Sequence, residues 1–276
     1  MNVTGLAGRP GFMARNAVAR SAVGPRSSLP VPRVSPFSTS TSLSCVNHKP
    51  GSANPSDSET NRPGSLADKY SAGLRQNKDW AANTARDHPD LFPTLATGQQ
   101  PQILWLGCSD SRCPETSMLG LQPGDVFVHR NIANILHPGD LSSGAVIEYA
   151  VKHLRVKHVV VCGHTSCGGV AAAMGNKELG ILDPWLLPLR QVRERNLPLL
   201  QSLSPEEAAL KLVELNVREG LSVVTQKSAV LNAIQERGLQ VHGLIYDVGS
   251  GVLRELDIQE TEESLRARLV AFKTDN

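Results

Sequence analysis

Two stretches of the sequence run from an apolar segment straight into residues that can hold a metal: ILWLG into Cys108-Ser-Asp110-Ser-Arg112, and HVVVCG into His164-Thr-Ser-Cys167-Gly-Gly. The pair His164 and Cys167 sets an imidazole and a thiolate on one tight turn, a spacing that lets both reach a single ion at about 2.0 to 2.3 Å. A third ligand must come from elsewhere. Cys108, at the end of the matching apolar segment, is the best candidate, because ligands of an open parallel α/β sheet gather beyond the carboxyl ends of its strands. Cys162 is a rival, but it lies inside its apolar segment and reads as a buried core thiol. Cys113, which follows Arg112 directly, is the closer rival; its plainer role is a small side chain packed beneath the loop. Two thiolates and an imidazole favour zinc over magnesium or calcium. Three protein ligands with one position left open suit a catalytic zinc, since a structural site is normally closed by a fourth protein ligand.

Asp110 and Arg112 stand two apart in the loop after Cys108, so a charge-assisted, bidentate pair between them is geometrically easy. Such a pair keeps Asp110 ionised and oriented. It could serve only to stiffen the loop, but its place beside a metal ligand favours a part in the chemistry.

These residues need strands to carry them. Short apolar runs at 103–107, 126–129 and 158–162 alternate with helix-period segments such as SGAVIEYAVKHL at 143–154. That alternation predicts an α/β fold: a central, mainly parallel β-sheet flanked by helices. A long helix is expected after Ser204-Pro205, running past Glu214. Val241 to Tyr246 and Val252 to Ile258 read as two strands joined by a tight turn at Gly249-Ser250-Gly251, and Thr261 starts a final helix. Upstream, the segment from Ser65 to Phe92 suggests one or two short helices, with Ser65 as N-cap and Pro89 and Pro93 as stops, packing on the body or on a partner subunit.

The chain of 276 residues is 40% apolar, enough for a substantial core. No apolar run approaches the roughly 18 to 20 residues that cross a bilayer, which excludes a membrane role. The formal charge of +2 is uneven: residues 1–56 hold five Arg and one Lys and no acid, so removing that +6 leaves the remainder at −4. A mildly acidic body offers no electrostatic footprint for nucleic acid. The leader spaces Arg9, Arg15, Arg20, Arg26 and Arg33 through small residues and ends in a Ser/Thr run, without the continuous apolar block of a secretory signal. We read 1–42 as a transit peptide, 43–64 as a disordered linker and 65–276 as the catalytic domain. A mitochondrial matrix address is expected first, with plastid or cytoplasm as alternatives. Five cysteines in a chain of this length do not suggest a disulfide framework.

The sequence CSDSR, followed 56 residues after Cys108 by the HxxCGG that begins at His164, resembles the β-carbonic anhydrase family. The likeness runs from about Gln99 to the C-terminal helix and includes GDVFVHRNIAN at 124–134 and IEYAVKHL at 147–154. The resemblance implies zinc on Cys108, His164 and Cys167, with Asp110 and Arg112 as a dyad. With Asp110 held off the metal by Arg112, the fourth position takes water, whose pKa falls toward about 7, and the resulting hydroxide attacks carbon dioxide to give bicarbonate. Gln99 matches a substrate-orienting amide, and Phe127, Ile132 and Tyr149 match the lining of a narrow apolar pocket. Without the resemblance these aromatic and aliphatic residues would be taken as ordinary core. Trp105, Arg130 and Tyr246 match a noncatalytic bicarbonate site found in one subset of the family, in which Asp110 swings onto zinc at lower pH or with bicarbonate bound and shuts the enzyme off. Cys113 departs from the family, which usually carries Val or a similar aliphatic there. His129 is a candidate proton shuttle beside buffer or bulk water. Homodimers or homotetramers are implied, with the N-terminal helices embracing a partner.

Three other functions compete. A hydrolase of carbon disulfide or carbonyl sulfide on the same scaffold would keep the zinc and the dyad. A nonenzymatic zinc module would have no need of Asp110 and Arg112 beside an open position. A thiol redox protein is disfavoured because the chain has no CxxC.

Overall fold

The apolar runs fold as extended strands. In the computed structural model, which describes residues 68–258 and 261–273, they form β1 (Ile103–Cys108), β2 (Val126–Asn131) and β3 (His158–His164). β4 (Gln240–Asp247) and β5 (Val252–Glu255) complete one five-stranded sheet in the order β2-β1-β3-β4-β5. The first four strands are parallel and β5 is antiparallel to β4. β5 stops short of the expected Ile258: beyond Glu255 the Asp257 carbonyl accepts from the Arg218 side chain instead of continuing a ladder. The proposed transit peptide, the linker and Ser65 lie outside the described residues.

Ten α-helices occur among the described residues: α1 (Lys69–Asp87), α2 (Leu91–Thr97), α3 (Glu115–Leu119), α4 (Leu141–Glu148), α5 (Gly168–Met174), α6 (Leu182–Arg195), α7 (Leu197–Gln201), α8 (Pro205–Thr225), α9 (Ser228–Arg237) and α10 (Glu262–Phe272). α4 continues into a wider π-type turn at Tyr149–His153. α8 starts where expected. Ser204 accepts from the Glu207 N–H, the Glu207 carboxylate accepts from the Ser204 N–H, and Pro205 occupies the first turn, where no N–H is needed. Its buried stripe of Leu212, Val213, Val217, Leu221 and Val224 packs against β3 and β4. That face of the sheet, with Leu104, Leu106, Val159 and Val161, carries the main core. The opposite face holds a smaller cluster of Trp105, Val160 and Cys162, with Tyr246, Leu253 and Met118 packed on it.

The N-terminal helices differ from expectation in two respects. Asp68 caps α1, accepting from the N–H groups of Tyr70 and Ser71, and the helix runs 19 residues, so it is not short. Pro93 does not end a helix but sits inside the first turn of α2, where its missing N–H has no intrahelical partner to lose. α1 buries none of its residues within the chain; Tyr70 and Leu74 are exposed, and Trp80 meets Phe92 edge to face at 5.7 Å. Among the described residues, no helix is long and apolar enough to cross a membrane.

Candidate metal centre

β1 pairs with β2 on one side and with β3 on the other, so the chain leaves neighbouring strands β1 and β3 in opposite directions and opens a crevice beyond their carboxyl ends. β1 ends on Cys108 and β3 on His164, and Cys167 follows as the residue that caps α5. One donor atom from each of Cys108, His164 and Cys167 lies within 4.8 Å of the other two. All three residues are buried, at 7%, 1% and 4% exposure. Among the described residues, no other group of His, Cys, Asp or Glu converges in this way.

The imidazole is set for a metal. His164 Nδ1–H donates to the Thr165 carbonyl at 2.9 Å, which leaves Nε2 as the acceptor nitrogen; Nε2 is buried and has no hydrogen-bond partner. An orphaned buried acceptor costs about 1 to 3 kcal/mol, a cost that a cation beside it removes. That nitrogen and the two sulfurs fit zinc. The Cys167 thiol, with help from His164, stabilises the Cys108 thiolate and holds the Cys108 pKa well below the usual thiol range, against the pull of burial. The same hydrogen bond, together with burial, pushes Cys167 well above the usual thiol range. Burial pulls His164 down, but its contacts with Cys108 and Thr165 outweigh this and leave a net upward shift.

The other two thiols among the described residues take plainer roles. Cys113 is buried beneath the loop, and burial raises its pKa to about 11. Cys162 lies in the small Trp105 cluster, raised further by burial.

Asp110 and Arg112 form the expected bidentate pair. Arg112 Nε reaches Asp110 Oδ1 at 2.9 Å, Nη2 reaches Oδ2 at 2.7 Å, and the Arg112 backbone N–H adds a third bond at 3.0 Å. These bonds hold the Asp110 carboxyl far below the usual carboxylate range. Oδ2 also stands 3.8 Å from His164 Nε2. Arg112 Nη2 donates in addition to the Ser166 carbonyl at 3.1 Å, tying the dyad to the turn that carries His164 and Cys167.

Arg130 acts as a second brace. Its Nε donates to the Cys108 carbonyl at 2.8 Å and its Nη2 to the Asp110 carbonyl at 2.6 Å, with Glu115 at 3.6 Å behind it. Arg130 pairs with Gly107, two positions along from Trp105, so the two side chains share a sheet face; Tyr246 packs on the same Trp105 cluster. Gly107 is required here, because a Cβ on it would meet Trp105 Nε1 at 2.4 Å.

The four expected pocket residues fall in different places. Ile132 lies beside the metal turn, against Gly169, where an added Cβ would meet Ile132 Cγ2 at 3.2 Å and Ala133 Cβ at 2.7 Å. It also lines an open, largely apolar cavity of about 710 Å³ with Ser109, Asn131 and Trp185. Phe127 and Tyr149 stack on each other at 5.8 Å, but Phe127 pairs with Leu104, four positions before Cys108, which is about 13 Å along the strand. Gln99 is exposed between α2 and β1. His129, on β2, pairs with Leu106 of β1, and its pKa is lowered by burial.

Sequence reasoning missed Thr165, Ser166 and Asp247. Ser166 holds a left-handed backbone at φ 57°, which an L-residue adopts at about 1 to 2 kcal/mol. Nothing in the letters between His164 and Cys167 announces it.

A family model described as Carbonic anhydrase matches residues 103–253. A carbonic anhydrase of Emericella nidulans is 46% identical over 187 residues, covering 67% of this chain and 82% of that protein. The crystal structure of the β-carbonic anhydrase CafA of Aspergillus fumigatus is 72% identical with a TM-score of 0.75, covering 75% of this chain and 100% of that one. One of two tetrameric β-carbonic anhydrases of Sordaria macrospora is 49% identical with a TM-score of 0.68, over 70% and 99% of the two chains. With more than half its length inside the family match and three converging metal donors at its sheet edge, the chain belongs to the β-carbonic anhydrase family.

Proposed function

We propose that this chain catalyses the reversible hydration of carbon dioxide to bicarbonate and a proton at one zinc ion held by Cys108, His164 and Cys167. The carrying observation is the convergence of three buried soft donors within 4.8 Å, one of them an unpartnered imidazole nitrogen, beside an ionised carboxylate that contributes no ligand in this arrangement. Zinc bound there supplies the Lewis acidity that brings a water's pKa toward about 7. Asp110 supplies direction: kept ionised by Arg112, it accepts a hydrogen bond from the attacking oxygen and aims its lone pair at the substrate carbon. Arg112 holds the Ser166 carbonyl as well as Asp110, so the dyad and the ligand turn keep one geometry. Ile132 offers an apolar wall suited to a small nonpolar substrate.

Gln99, Phe127 and Tyr149 are proposed to orient and enclose that substrate in a homodimer or homotetramer. Their separation from this chain's own ligands fits a pocket completed across a subunit interface. The unburied α1, with Tyr70, Leu74 and Trp80 facing outward, supports the same assembly, and the similar Sordaria macrospora enzymes are described as tetrameric.

Regulation belongs to the same proposal. Asp110 Oδ2, only 3.8 Å from His164 Nε2, is close enough to compete for the fourth position once Arg112 lets go. Lower pH and bicarbonate at Trp105, Arg130 and Tyr246 are proposed to favour that inactive state. The proton leaves through His129, buffer or bulk water. The Arg-rich, acid-free leader supports import into the mitochondrial matrix.

The rival substrate class is carbon disulfide or carbonyl sulfide. Measuring hydration of carbon dioxide beside hydrolysis of both sulfur compounds on the same zinc-loaded protein separates them. Rapid hydration with negligible sulfide release is expected, and the reverse would overturn the assignment.

A further inference from the structure

The turn that carries two of the three metal ligands is anchored to the hairpin that leaves the neighbouring strand β4. Thr165 N–H donates to the Tyr246 carbonyl at 2.9 Å. Thr165 Oγ1 donates to Asp247 Oδ1 at 3.0 Å and accepts from the Val248 N–H, also at 3.0 Å. Asp247 is itself locked by its own turn: Oδ1 accepts from the Gly249 N–H at 3.1 Å and Oδ2 from Ser250 Oγ at 2.6 Å. Gly251 N–H returns to the Asp247 carbonyl at 2.8 Å and takes the left-handed φ of 74° that closes the hairpin between β4 and β5. The Thr165 carbonyl is the acceptor that fixes the His164 ring. A single residue therefore joins the His164 tautomer to the hairpin.

The mechanical need for such an anchor is also visible. Ser166, the next residue, is held in a strained left-handed conformation, and strain of this kind persists only where the surroundings over-determine it. Arg112 grips the Ser166 carbonyl from the β1 side. Thr165 is gripped from the β4 side. The two restraints meet on adjacent residues, between His164 and Cys167.

We propose that Thr165 and Asp247 are positioning residues of the metal centre, a clasp through which the β4–β5 hairpin fixes the His164 ring and the Cys167 thiolate for zinc. The clasp touches neither substrate nor metal; it acts through the ligands, and it rests on the zinc reading above. Outer partners of metal ligands typically alter metal affinity about 10- to 100-fold.

The test measures zinc release from the full-length holoenzyme into a chromogenic chelator. Thr165→Val keeps the branched shape of the side chain and replaces the hydroxyl, with both of its hydrogen bonds, by a methyl group; it is expected to release zinc at least about tenfold faster. Thr165→Ser restores the hydroxyl and should bring release back near the wild-type rate. Arg254→Ala removes an ion pair between β5 and Glu214 of α8 and leaves the turn at 247–251 and its bonds to Thr165 in place; its release rate should stay at the wild-type value. Wild-type release from Thr165→Val, or equal acceleration in Arg254→Ala, would overturn the clasp. A wild-type protein that holds no zinc would overturn the zinc reading itself, and the clasp with it.

Discussion

Asp110 Oδ2 lies 2.7 Å from Arg112 Nη2 and 3.8 Å from His164 Nε2. The first contact keeps the carboxylate charged and turned toward the guanidinium; the second distance sets it beside the three converging donors. On the proposed mechanism, a carboxylate so placed orients an oxygen at the fourth position while Arg112 holds it, and competes for that position once Arg112 lets go.

Removing only the charge of Asp110 should therefore separate metal binding from chemistry. Asp110→Asn is expected to keep its zinc, since Asp110 is not one of the three converging donors. It should lose about 10²-fold or more in carbon dioxide hydration, the order of loss that follows when a reacting atom is misplaced by about 1 Å. Stopped-flow hydration with zinc analysis of the same sample checks both halves. Loss of the zinc would give Asp110 a structural duty instead.

Zinc affinity should weaken as pH falls. The Cys167 thiol is pushed up by its hydrogen bond to Cys108 and by burial, so it keeps its proton through the working range until a metal displaces it. Each displaced proton makes binding about tenfold weaker per unit fall in pH. Competition with a chelator at pH values between about 6 and 8 reads this slope. A pH-independent affinity would mean that no ligand proton is released.

Activity is expected to fall cooperatively below neutrality. The Arg112 pair depresses the Asp110 pKa, so stability drawn from that pair is present above the usual carboxylate range and is lost only in strong acid. Protonation of Asp110 is therefore not the expected cause of a loss near neutrality; the proposed regulation assigns it to a change of partner from Arg112 to the metal. Trp105→Phe should weaken inhibition by bicarbonate, measured as the bicarbonate concentration that halves the rate. A flat acid limb, or unchanged inhibition in the variant, would remove the regulatory site.

Gly169→Ala should destabilise the protein by about 1 to 3 kcal/mol, the usual cost of overpacking. The new Cβ would stand 2.7 Å from that of Ala133, itself fixed in a left-handed conformation with its carbonyl held by buried Asn216. Thermal unfolding of the holoenzyme measures it. An unchanged midpoint would show that the two turns can part without cost.

Much of this architecture is legible in the letters, for definite reasons. β1 and β3 are near-continuous apolar runs because both of their faces are covered, and the polar residues that end them mark the sheet edge. Ser204, Pro205 and Glu207 announce α8 through local hydrogen bonding that needs no tertiary context. The three converging donors are legible because His164 and Cys167 are close in sequence and Cys108 ends the neighbouring strand. The clasp is not, since Thr165 and Asp247 are 82 residues apart and meet only through strand pairing. Nor is the Ser166 backbone, because a left-handed φ imposed by neighbours leaves no trace in a serine. Pro93 misled for the opposite reason: a strong local signal for a stop is harmless in a first turn. Phe127 and Tyr149 carry the pattern of core residues, and only family resemblance singles them out.

Zinc content and carbon dioxide hydration, measured together on the wild type and on Cys108→Ser, bear most directly on the metal centre. The wild type should carry one zinc per chain and hydrate carbon dioxide rapidly, and the variant should lose both. Full activity in a zinc-free Cys108→Ser protein would contradict the assignment of Cys108, His164 and Cys167 as the ligands of a catalytic zinc.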